Sequence, residues 1–410
     1  MTALRSEERS LISHPEAPAS GPMGPVWAAL ARRVAERLDA GLATGTLRAT
    51  FPDGSRRTLG GRAPGVTAEA TLHSWRGLVR VATGGSIGLY QAWELGEWSS
   101  DDPVELFRLF VSNAGAMGNT VRARGPWRLM ARAAHWLHRN TRAGSRRNIH
   151  AHYDLGNEFY RAWLDPAMVY SSARFDMGAQ DLVSAQQDKL ASIATRIEGA
   201  KSVLEIGCGW GALAARLAAG GADVTALSLS DEQLAYARSQ HPGIDFRKQD
   251  YRDCTGQFDA IASVEMVEAV GREYWPDFFD CIARNLVPGG RAALQYIAIR
   301  DDLFPAYAAS ADFIQAYIFP GGMLVSESEF RRLAGERGLD WTDQTDFALD
   351  YAETLRIWRD NFDAAIAEGR LPPHFDARFQ RLWRFYLMYC EGGFRGGGIT
   401  VAQVTLRKSV

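Results

Sequence analysis

A run of alternating glycines between residues 203 and 212 carries the clearest chemistry in this chain. The sequence there is Val-Leu-Glu-Ile-Gly-Cys-Gly-Trp-Gly-Ala, an apolar segment that ends in glycines just before a helical pattern. Glycine lets a backbone turn tightly and approach a ligand, because no Cβ stands in the way. We therefore predict a buried strand over 203–206, a cofactor-binding turn, and a helix over 212–219. The predicted cofactor contacts in the turn are Gly207, Cys208, Gly209 and Gly211.

Glu205, just before the glycines, indicates which cofactor the turn binds. An acid at this place would repel a pyrophosphate, whereas it suits the ammonium group of the methionine part of S-adenosylmethionine. The same glycine pattern also occurs in dinucleotide enzymes and as plain structural punctuation. S-adenosylmethionine is thus the prediction, with a dinucleotide or no ligand as the alternatives.

Composition limits the class of protein. A length of 410 residues favours two domains over one. The 46 Lys and Arg residues nearly balance the 48 Asp and Glu residues, so bulk charge does not indicate a nucleic-acid partner. Four widely spaced cysteines without a C-x-x-C pair predict neither a zinc site nor a disulfide framework, and no metal is expected. Without a long apolar window or a signal-peptide pattern, we expect a soluble or peripheral protein.

Four regions are predicted along the chain. Residues 1–24, rich in Ser, Pro and Gly, are typical of a disordered tail, and 25–120 alternate short helices and strands. The predicted elements of that domain are helices at 26–42, 86–95 and 103–114, and strands at 46–51, 56–59, 68–72 and 78–82. Residues 121–150 form a basic linker with eight arginines and interleaved tryptophans, which suits either an anionic bilayer surface or a solvated linker helix.

The remaining region, 151–410, alternates strands and helices in the manner of a doubly wound α/β sheet. In such folds ligands bind at the carboxyl ends of the strands. The predicted strands are 203–206, 223–229, 244–248, 258–264, 291–299 and 400–406.

Several ordered segments give the chain a specific resemblance. They include Tyr-Asp-Leu-Gly-Asn-Glu-Phe-Tyr at 153–160, Tyr-Ser-Ser-Ala-Arg-Phe at 170–175, the glycine turn, and Cys-Glu-Gly-Gly-Phe-Arg at 390–395. From about residue 85 to its end the chain resembles the cyclopropane-fatty-acyl-phospholipid synthases and their mycolic-acid relatives. The resemblance implies a Rossmann-like class I methyltransferase domain at 151–410, preceded by a small α+β lipid-binding domain at 25–120.

The resemblance also implies a set of cofactor contacts for S-adenosylmethionine. Tyr170 and Ser171 correspond to contacts on the methionine side, in addition to Glu205 and the glycine turn. The contacts implied for the ribose and the adenine are Ser228, Leu229, Gln233, Asp250, Tyr251 and Arg252.

Methylation of an alkene leaves a carbocation, from which a base must remove a proton. In the resembled family that base is a bound bicarbonate, held by a Glu, a His, a Tyr and backbone groups beside a Cys. The implied catalytic residues of this chain are Glu268, Tyr351, Gln295, Ser172, Ile297 and Cys390. Ser172 stands where cyclopropane-forming members have Cys, and Gln295 where they have His. Gln can hold an anion but cannot relay a proton as His can. If the base is displaced, it would take the proton from a chain carbon instead of the added methyl and give a methylene-branched chain.

The resemblance implies an enzyme that transfers a methyl(ene) group from S-adenosylmethionine to the double bond of an unsaturated acyl chain in a phospholipid, forming a cyclopropane fatty acid. Alternatives are a methylene- or methyl-branched product, a furan fatty acid precursor, methylation of a small soluble acceptor, and a binding protein without catalysis. The implied partner is membrane phospholipid rather than nucleic acid, and the implied location is the inner face of the cytoplasmic membrane, with peripheral attachment. A homodimer is a further expectation.

Overall fold

The computed structural model describes residues 25–117 and 155–410, with side chains from residue 32 onward. The described residues form two compact units, one of 25–117 with 310–313 and the other of 155–309 with 314–410. The predicted tail at 1–24 and the predicted basic linker at 121–150 lie outside the described residues.

The first unit combines helices with a four-stranded sheet of order β2-β1-β3-β4. Strand β1 runs antiparallel to β2 and parallel to β3. Its elements are α1 (Pro25–Gly41), β1 (Thr46–Thr50), β2 (Arg56–Gly60), β3 (Thr67–Leu72), α2 (Trp75–Glu94), β4 (Trp98–Ser99), α3 (Pro103–Ser112) and α4 (Ala114–Met117). The predicted α+β character of this region is confirmed.

One predicted strand of this unit, 78–82, is wrong, because these residues lie inside α2. Ser74 caps the helix, its side chain accepting a hydrogen bond from the backbone N–H of Arg76. The helix continues through a kink at Gly85, where φ is 59°. The β-branched residues at 79 and 81 favour a strand only weakly, and the N-cap together with packing of the helical face outweighs that preference.

The second unit alternates strands and helices around one large sheet. Its elements are α5 (Asn157–Arg161), α6 (Leu182–Arg196), β5 (Ser202–Ile206), α7 (Ala212–Ala219), β6 (Asp223–Ser228), α8 (Asp231–Gln240), β7 (Asp245–Lys248), β8 (Phe258–Val264), α9 (Trp275–Asn285), β9 (Leu286–Ile299), α10 (Phe304–Ala308), α11 (Phe313–Tyr317), β10 (Val325–Ser326), α12 (Glu327–Gly335), β11 (Leu339–Asp346), α13 (Ala348–Ala367), α14 (Ala377–Arg395) and β12 (Ile399–Lys408). Single 3₁₀ turns lie at Tyr251–Asp253, Val267–Ala269 and Arg272–Tyr274.

The large sheet has the order β7-β6-β5-β8-β9-β12-β11, with β10 paired to β9. Strands β5 to β9 are parallel, and β12 is antiparallel to both β9 and β11. The six predicted strands are all present, and the Rossmann-like α/β fold is confirmed. Chain order reverses beside β5, since β6 lies on one side of it and β8 on the other. The carboxyl end of β5 is therefore where a ligand is expected.

Candidate active site

The glycine turn joins the end of β5 to the start of α7. Gly207, Gly209 and Gly211 all have positive φ, at 86°, 52° and 92°. The backbone N–H groups of Gly207 and Cys208 both donate to the carbonyl oxygen of Leu227, which fixes the turn on β6. A Cβ at Gly207 would stand 2.6 Å from Cγ of Met266, whereas a Cβ at Gly209 would meet open space. The turn thus presents bare backbone to a cavity.

The cavity at this turn brings together the predicted cofactor contacts, with one exception. The predicted residues that line it are Tyr170, Ser171, Glu205, Gly207, Cys208, Gly209, Ser228, Leu229, Gln233, Asp250, Tyr251 and Arg252. Gly211 does not line the cavity, because it faces α8. A Cβ there would lie 3.0 to 3.2 Å from atoms of Phe246, His241 and Ala237, so this glycine permits close packing of α7 instead.

One end of the cavity carries groups suited to a nucleoside. Ser228 Oγ lies 3.1 Å from Oε1 of Gln233, to which it donates. Asp250 holds Arg252 through a 2.6 Å ion pair and also accepts from its backbone N–H. The hydroxyl of Tyr251 is buried without a hydrogen-bond partner among the described residues, and burial raises its pKa. A ligand with hydrogen-bonding groups would satisfy such an atom.

The same cavity also holds two buried charged groups. Glu205 is 3% exposed and Lys189 is 1% exposed. Nζ of Lys189 donates to Oγ of Ser171 at 2.6 Å, while Oε2 of Glu205 has no partner in the described part of the chain. Burial raises the pKa of Glu205 and lowers that of Lys189, and their mutual attraction opposes both shifts. An unpartnered buried carboxyl oxygen suits an incoming ammonium group.

Lys189 was missed in the sequence, although a signal was present. The buried face of α6 repeats at helical spacing through Ala185, Lys189 and Ile193. A lysine in the middle of such a face is unusual, because a buried ammonium needs a charged partner.

Glu265, also unpredicted, is the centre of the catalytic cluster. Its Oε1 accepts from the backbone N–H of Ser172 at 2.9 Å and from Nε2 of Gln295 at 2.7 Å. Its Oε2 accepts from the hydroxyl of Tyr351 at 2.8 Å. Three predicted anion-binding residues therefore converge on this carboxylate, which also lines the cofactor cavity.

Glu268 was expected to share an anion with Tyr351, but the hydroxyl of Tyr351 bonds to Glu265 instead. Oε1 of Glu268 accepts from the backbone N–H of Ile297, and its Oε2 has no partner among the described atoms. Burial, and next repulsion by Glu265, raise the pKa of Glu268 to about 8. Burial raises the pKa of both carboxyls, but side-chain donors and Lys189 oppose this shift at Glu265, whereas only backbone donors oppose it at Glu268.

The remaining predicted residues have supporting positions. Oγ of Ser172 donates to the carbonyl of Ala173 rather than to the cluster. Oε1 of Gln295 accepts from Nε2 of Gln403 at 3.0 Å, and this contact orients the amide so that its NH₂ faces Glu265. Cys390 is partly exposed on α14, one turn after Tyr386, whose hydroxyl lies 3.0 Å from that of Tyr170.

The geometry fits one of the two expected ligands. S-adenosylmethionine fits the cavity, because bare glycine backbone, an unpartnered Tyr251 hydroxyl and an unpartnered Glu205 oxygen face a charged nucleoside-sized ligand. Bicarbonate does not fit as expected, because the donors of Ser172, Gln295 and Tyr351 are already bonded to Glu265.

Over 25–117 and 155–410, the structure shows no group of three or more His, Cys, Asp or Glu side chains placed to hold a metal ion. Within the same ranges, no helix combines the length and the apolar character needed to cross a bilayer.

Comparison with known proteins agrees with this geometry. A family model described as mycolic acid cyclopropane synthetase matches residues 140–404. Tuberculostearic acid methyltransferase UfaA1 of Mycobacterium tuberculosis is 37% identical, over 94% of this chain and 92% of the relative. The cyclopropane-fatty-acyl-phospholipid synthase of Escherichia coli K12 is 34% identical, over 81% and 85%. The crystal structure of mycolic acid cyclopropane synthase CmaA1 complexed with SAH and CTAB is 27% identical, with a TM-score of 0.58, over 64% of this chain and 98% of the other.

Proposed function

The chain belongs to the mycolic acid cyclopropane synthetase family and is an S-adenosylmethionine-dependent methyltransferase, and from that premise we propose that it methylates the double bond of an unsaturated acyl chain in a phospholipid. The observation that carries the proposal is that Glu265, a half-buried acid whose carboxylate accepts three hydrogen bonds, lines the cofactor cavity. A base at this place serves a reaction that generates a carbocation. The names of the two relatives, a tuberculostearic acid methyltransferase and a cyclopropane-fatty-acyl-phospholipid synthase, support an acyl substrate.

S-adenosylmethionine, when bound, supplies an electrophilic methyl group on a positively charged sulfur. The alkene supplies the electron pair of the new carbon–carbon bond, which leaves a cation on the neighbouring chain carbon. The protein must then align the reactants and shelter that cation from water. Tyr170 lies in the cavity wall within an aromatic cluster, 5.3 Å from the Tyr160 ring and 5.4 Å from the Trp358 ring between centroids. Aromatic faces stabilise a cation without reacting with it.

The cation leads to two products of the same mass. If the transferred methyl loses a proton and its electron pair closes on the cationic carbon, a cyclopropane forms. If a hydride first shifts from the methylated carbon, loss of a methyl proton gives a methylene branch. The departures at Ser172 and Gln295 favour the branched product, because they remove the titratable side chains found in cyclopropane-forming members. A cyclopropane is the second candidate product.

A phospholipid substrate also implies work at a membrane surface. We propose peripheral attachment to the cytoplasmic face of the membrane, with unsaturated phospholipid as the partner. The described part of the chain has no helix that would span the bilayer, which is compatible with such attachment. The expected homodimer stays a prediction.

The test is incubation of the purified protein with dioleoyl-phosphatidylglycerol vesicles and S-adenosylmethionine that carries a trideuterated methyl group. Product acyl chains are then analysed by mass spectrometry, and those from a parallel incubation with unlabelled S-adenosylmethionine are analysed by proton NMR. Loss of one deuterium is expected, with the signals of an exocyclic methylene group. Cyclopropane signals would select the second product, and retention of all three deuteriums would show proton loss from a chain carbon. Vesicles of saturated lipid are the matched control, and no mass gain with oleoyl lipid would contradict the proposed function.

A further inference from the structure

We propose that Glu265 is the catalytic base and that its carboxylate stands in the place that a bound bicarbonate has in the resembled synthases. This inference rests on the proposed function, because it concerns the proton that the methylated chain must lose. It assigns the base to a residue of the protein itself rather than to a dissolved ion.

The carboxylate of Glu265 is surrounded by three hydrogen-bond donors. Anion binding was expected from Tyr351, from the residues at 172 and 295, and from a backbone group. In the structure, Tyr351 Oη, Ser172 N and Gln295 Nε2 lie 2.7 to 2.9 Å from the two carboxylate oxygens of Glu265. A carboxylate and a bicarbonate present the same pair of oxygens to such donors. The side chain has therefore satisfied the donors that a free anion would need.

Glu265 is also placed at the cofactor cavity. Glu265 directly follows β8 and lines the same cavity as Glu205, Gly207 and Ser171. Glu265 thus lines the space where the methyl donor is expected. A catalytic base must reach the reacting atoms and must be held in a fixed orientation. The three hydrogen bonds hold the carboxylate of Glu265 in a fixed orientation.

The backbone of Glu265 has an unusual conformation. Glu265 has φ of 47°, in the left-handed region that side chains other than those of Gly, Asn and Asp rarely adopt. Such a conformation is energetically unfavourable and is typically kept where function requires it. In this conformation the carboxylate accepts hydrogen bonds from Ser172 and Gln295.

Glu265 and Glu268 differ in the hydrogen bonds and charges around their carboxyl groups. Burial raises the pKa of Glu265, but one backbone and two side-chain hydrogen bonds and the field of Lys189 oppose that shift and favour its ionised form. Glu268 receives only backbone hydrogen bonds and is repelled by Glu265. Where two acids are pushed apart in this way, the one with more donors acts as the base.

The proposed step balances without any further reactant. A proton passes from the methyl-derived carbon of the cation to a carboxylate oxygen of Glu265. The electron pair of the broken C–H bond becomes the new double bond, or the third side of a ring. The positive charge of the chain and the negative charge of the carboxylate are lost together. The proton then leaves to solvent before the next turnover.

The experiment begins with the wild-type protein in argon-purged buffer, with and without added sodium bicarbonate. Product formation on oleoyl vesicles is expected to change by less than about twofold, since the base is part of the chain. The binding of ¹³C-bicarbonate to the protein is followed by NMR in parallel, and no saturable binding is expected at this site. Dependence of the rate on bicarbonate, or saturable binding with perturbation of Tyr351, would overturn the inference.

Two variants complete the test. Glu265→Gln is expected to lower turnover by about 10²- to 10⁴-fold, the usual contribution of a general base, with affinity for S-adenosylmethionine kept within about threefold. Glu265→Gly relieves the left-handed backbone and removes the carboxylate, so its three donors become available. Formate or bicarbonate is expected to bind the Glu265→Gly variant and to raise its turnover at least about tenfold above the value without added anion. Wild-type turnover in Glu265→Gln, or in Glu265→Gly without added anion, would overturn the inference.

The control variant is Glu368→Gln, which removes an exposed carboxylate that pairs with Arg370. Its turnover and its response to bicarbonate are expected to match those of the wild type. The bicarbonate-binding measurement needs no lipid substrate, so it decides the inference even if the lipid assay fails. Absence of product from the wild type counts against the proposed function alone.

Discussion

Two regions of the active-site cavity, a cofactor end with Glu205 and Tyr251 and a base end with Glu265, each contain an acid but differ in how their polar groups are satisfied. At the cofactor end, an oxygen of Glu205 and the hydroxyl of Tyr251 have no partner within the described residues. At the base end, both oxygens of Glu265 accept hydrogen bonds from the protein. An unsatisfied buried group gains much from a ligand, whereas a satisfied one is oriented before any ligand arrives. The first end is built for binding and the second for chemistry.

The largest expected effect separates the two ends through Tyr351. In Tyr351→Phe, Glu265 loses one of its three donors while the ring still stacks on Phe394, 4.5 Å away between centroids. Turnover is expected to fall roughly 10²-fold, as for loss of one donor to a catalytic oxyanion. Cofactor affinity, measured by titration calorimetry, stays within about twofold. A matching loss of affinity would erase the distinction between the ends, and Tyr236→Phe on α8 is the control.

The reverse effect is expected at the cofactor end. Glu205→Gln removes the negative charge that the cofactor ammonium would meet, and charged hydrogen bonds contribute about 1.5–3 kcal/mol, so the dissociation constant rises about 10-fold or more. Turnover at saturating cofactor should change only a few-fold. Calorimetry and initial rates measure the two quantities separately. An unchanged affinity would show that Glu205 is not a cofactor contact, and the exposed Glu198→Gln serves as the comparison.

A smaller effect concerns the support of the base end. Gln403 donates to Oε1 of Gln295 and accepts from Oγ of Ser192 at 2.6 Å. Gln403→Ala leaves Oε1 of Gln295 buried without its donor, which is expected to lower the free energy of unfolding by about 1–3 kcal/mol. Urea unfolding followed by circular dichroism measures this change. The exposed Gln257→Ala should have little effect, and equal stability of both variants would contradict the support role.

The smallest expected effect is a dependence of stability on pH. The pKa of Glu268 is raised from 4.5 to about 8, so its protonated form favours the folded state, and this contribution is lost as pH rises from the lower value to the higher. Between about pH 5 and 8 the Tm of the ligand-free protein should fall by a few degrees more in the wild type than in Glu268→Gln. Thermal melts across this range provide the measurement. Parallel curves would mean that Glu268 keeps its charge when folded.

The sequence predicted residues of the cofactor end and the three donors of the base end, but not the carboxylate that these donors contact. Alternating glycines and a buried strand are local patterns, so residues 203–212 could be placed from spacing, whereas the contacts at 170–171, 228–233 and 250–252 were implied by the family resemblance. Glu265 lies three residues before the glutamate that was chosen, and only its left-handed φ and distant partners distinguish the two. Those partners come from positions 172, 295 and 351, and no local pattern reports such a convergence.

Two secondary-structure errors have equally physical causes. Strand β11, with the sequence Leu-Asp-Trp-Thr-Asp-Gln-Thr-Asp, is a polar edge strand and lacks the apolar run that marked the others. Helix α2 contains a glycine-rich kink and β-branched residues, so its first half has the composition of a strand. In both cases tertiary pairing and capping, rather than local propensity, decide the structure.

If the base is the carboxylate of Glu265, the supply of base does not depend on dissolved carbon dioxide or bicarbonate. A base that is a side chain is present once in every molecule and cannot be depleted by outgassing or by metabolism. Lipid methylation by this protein should therefore proceed at the same rate in a cell starved of carbon dioxide as in one that respires freely.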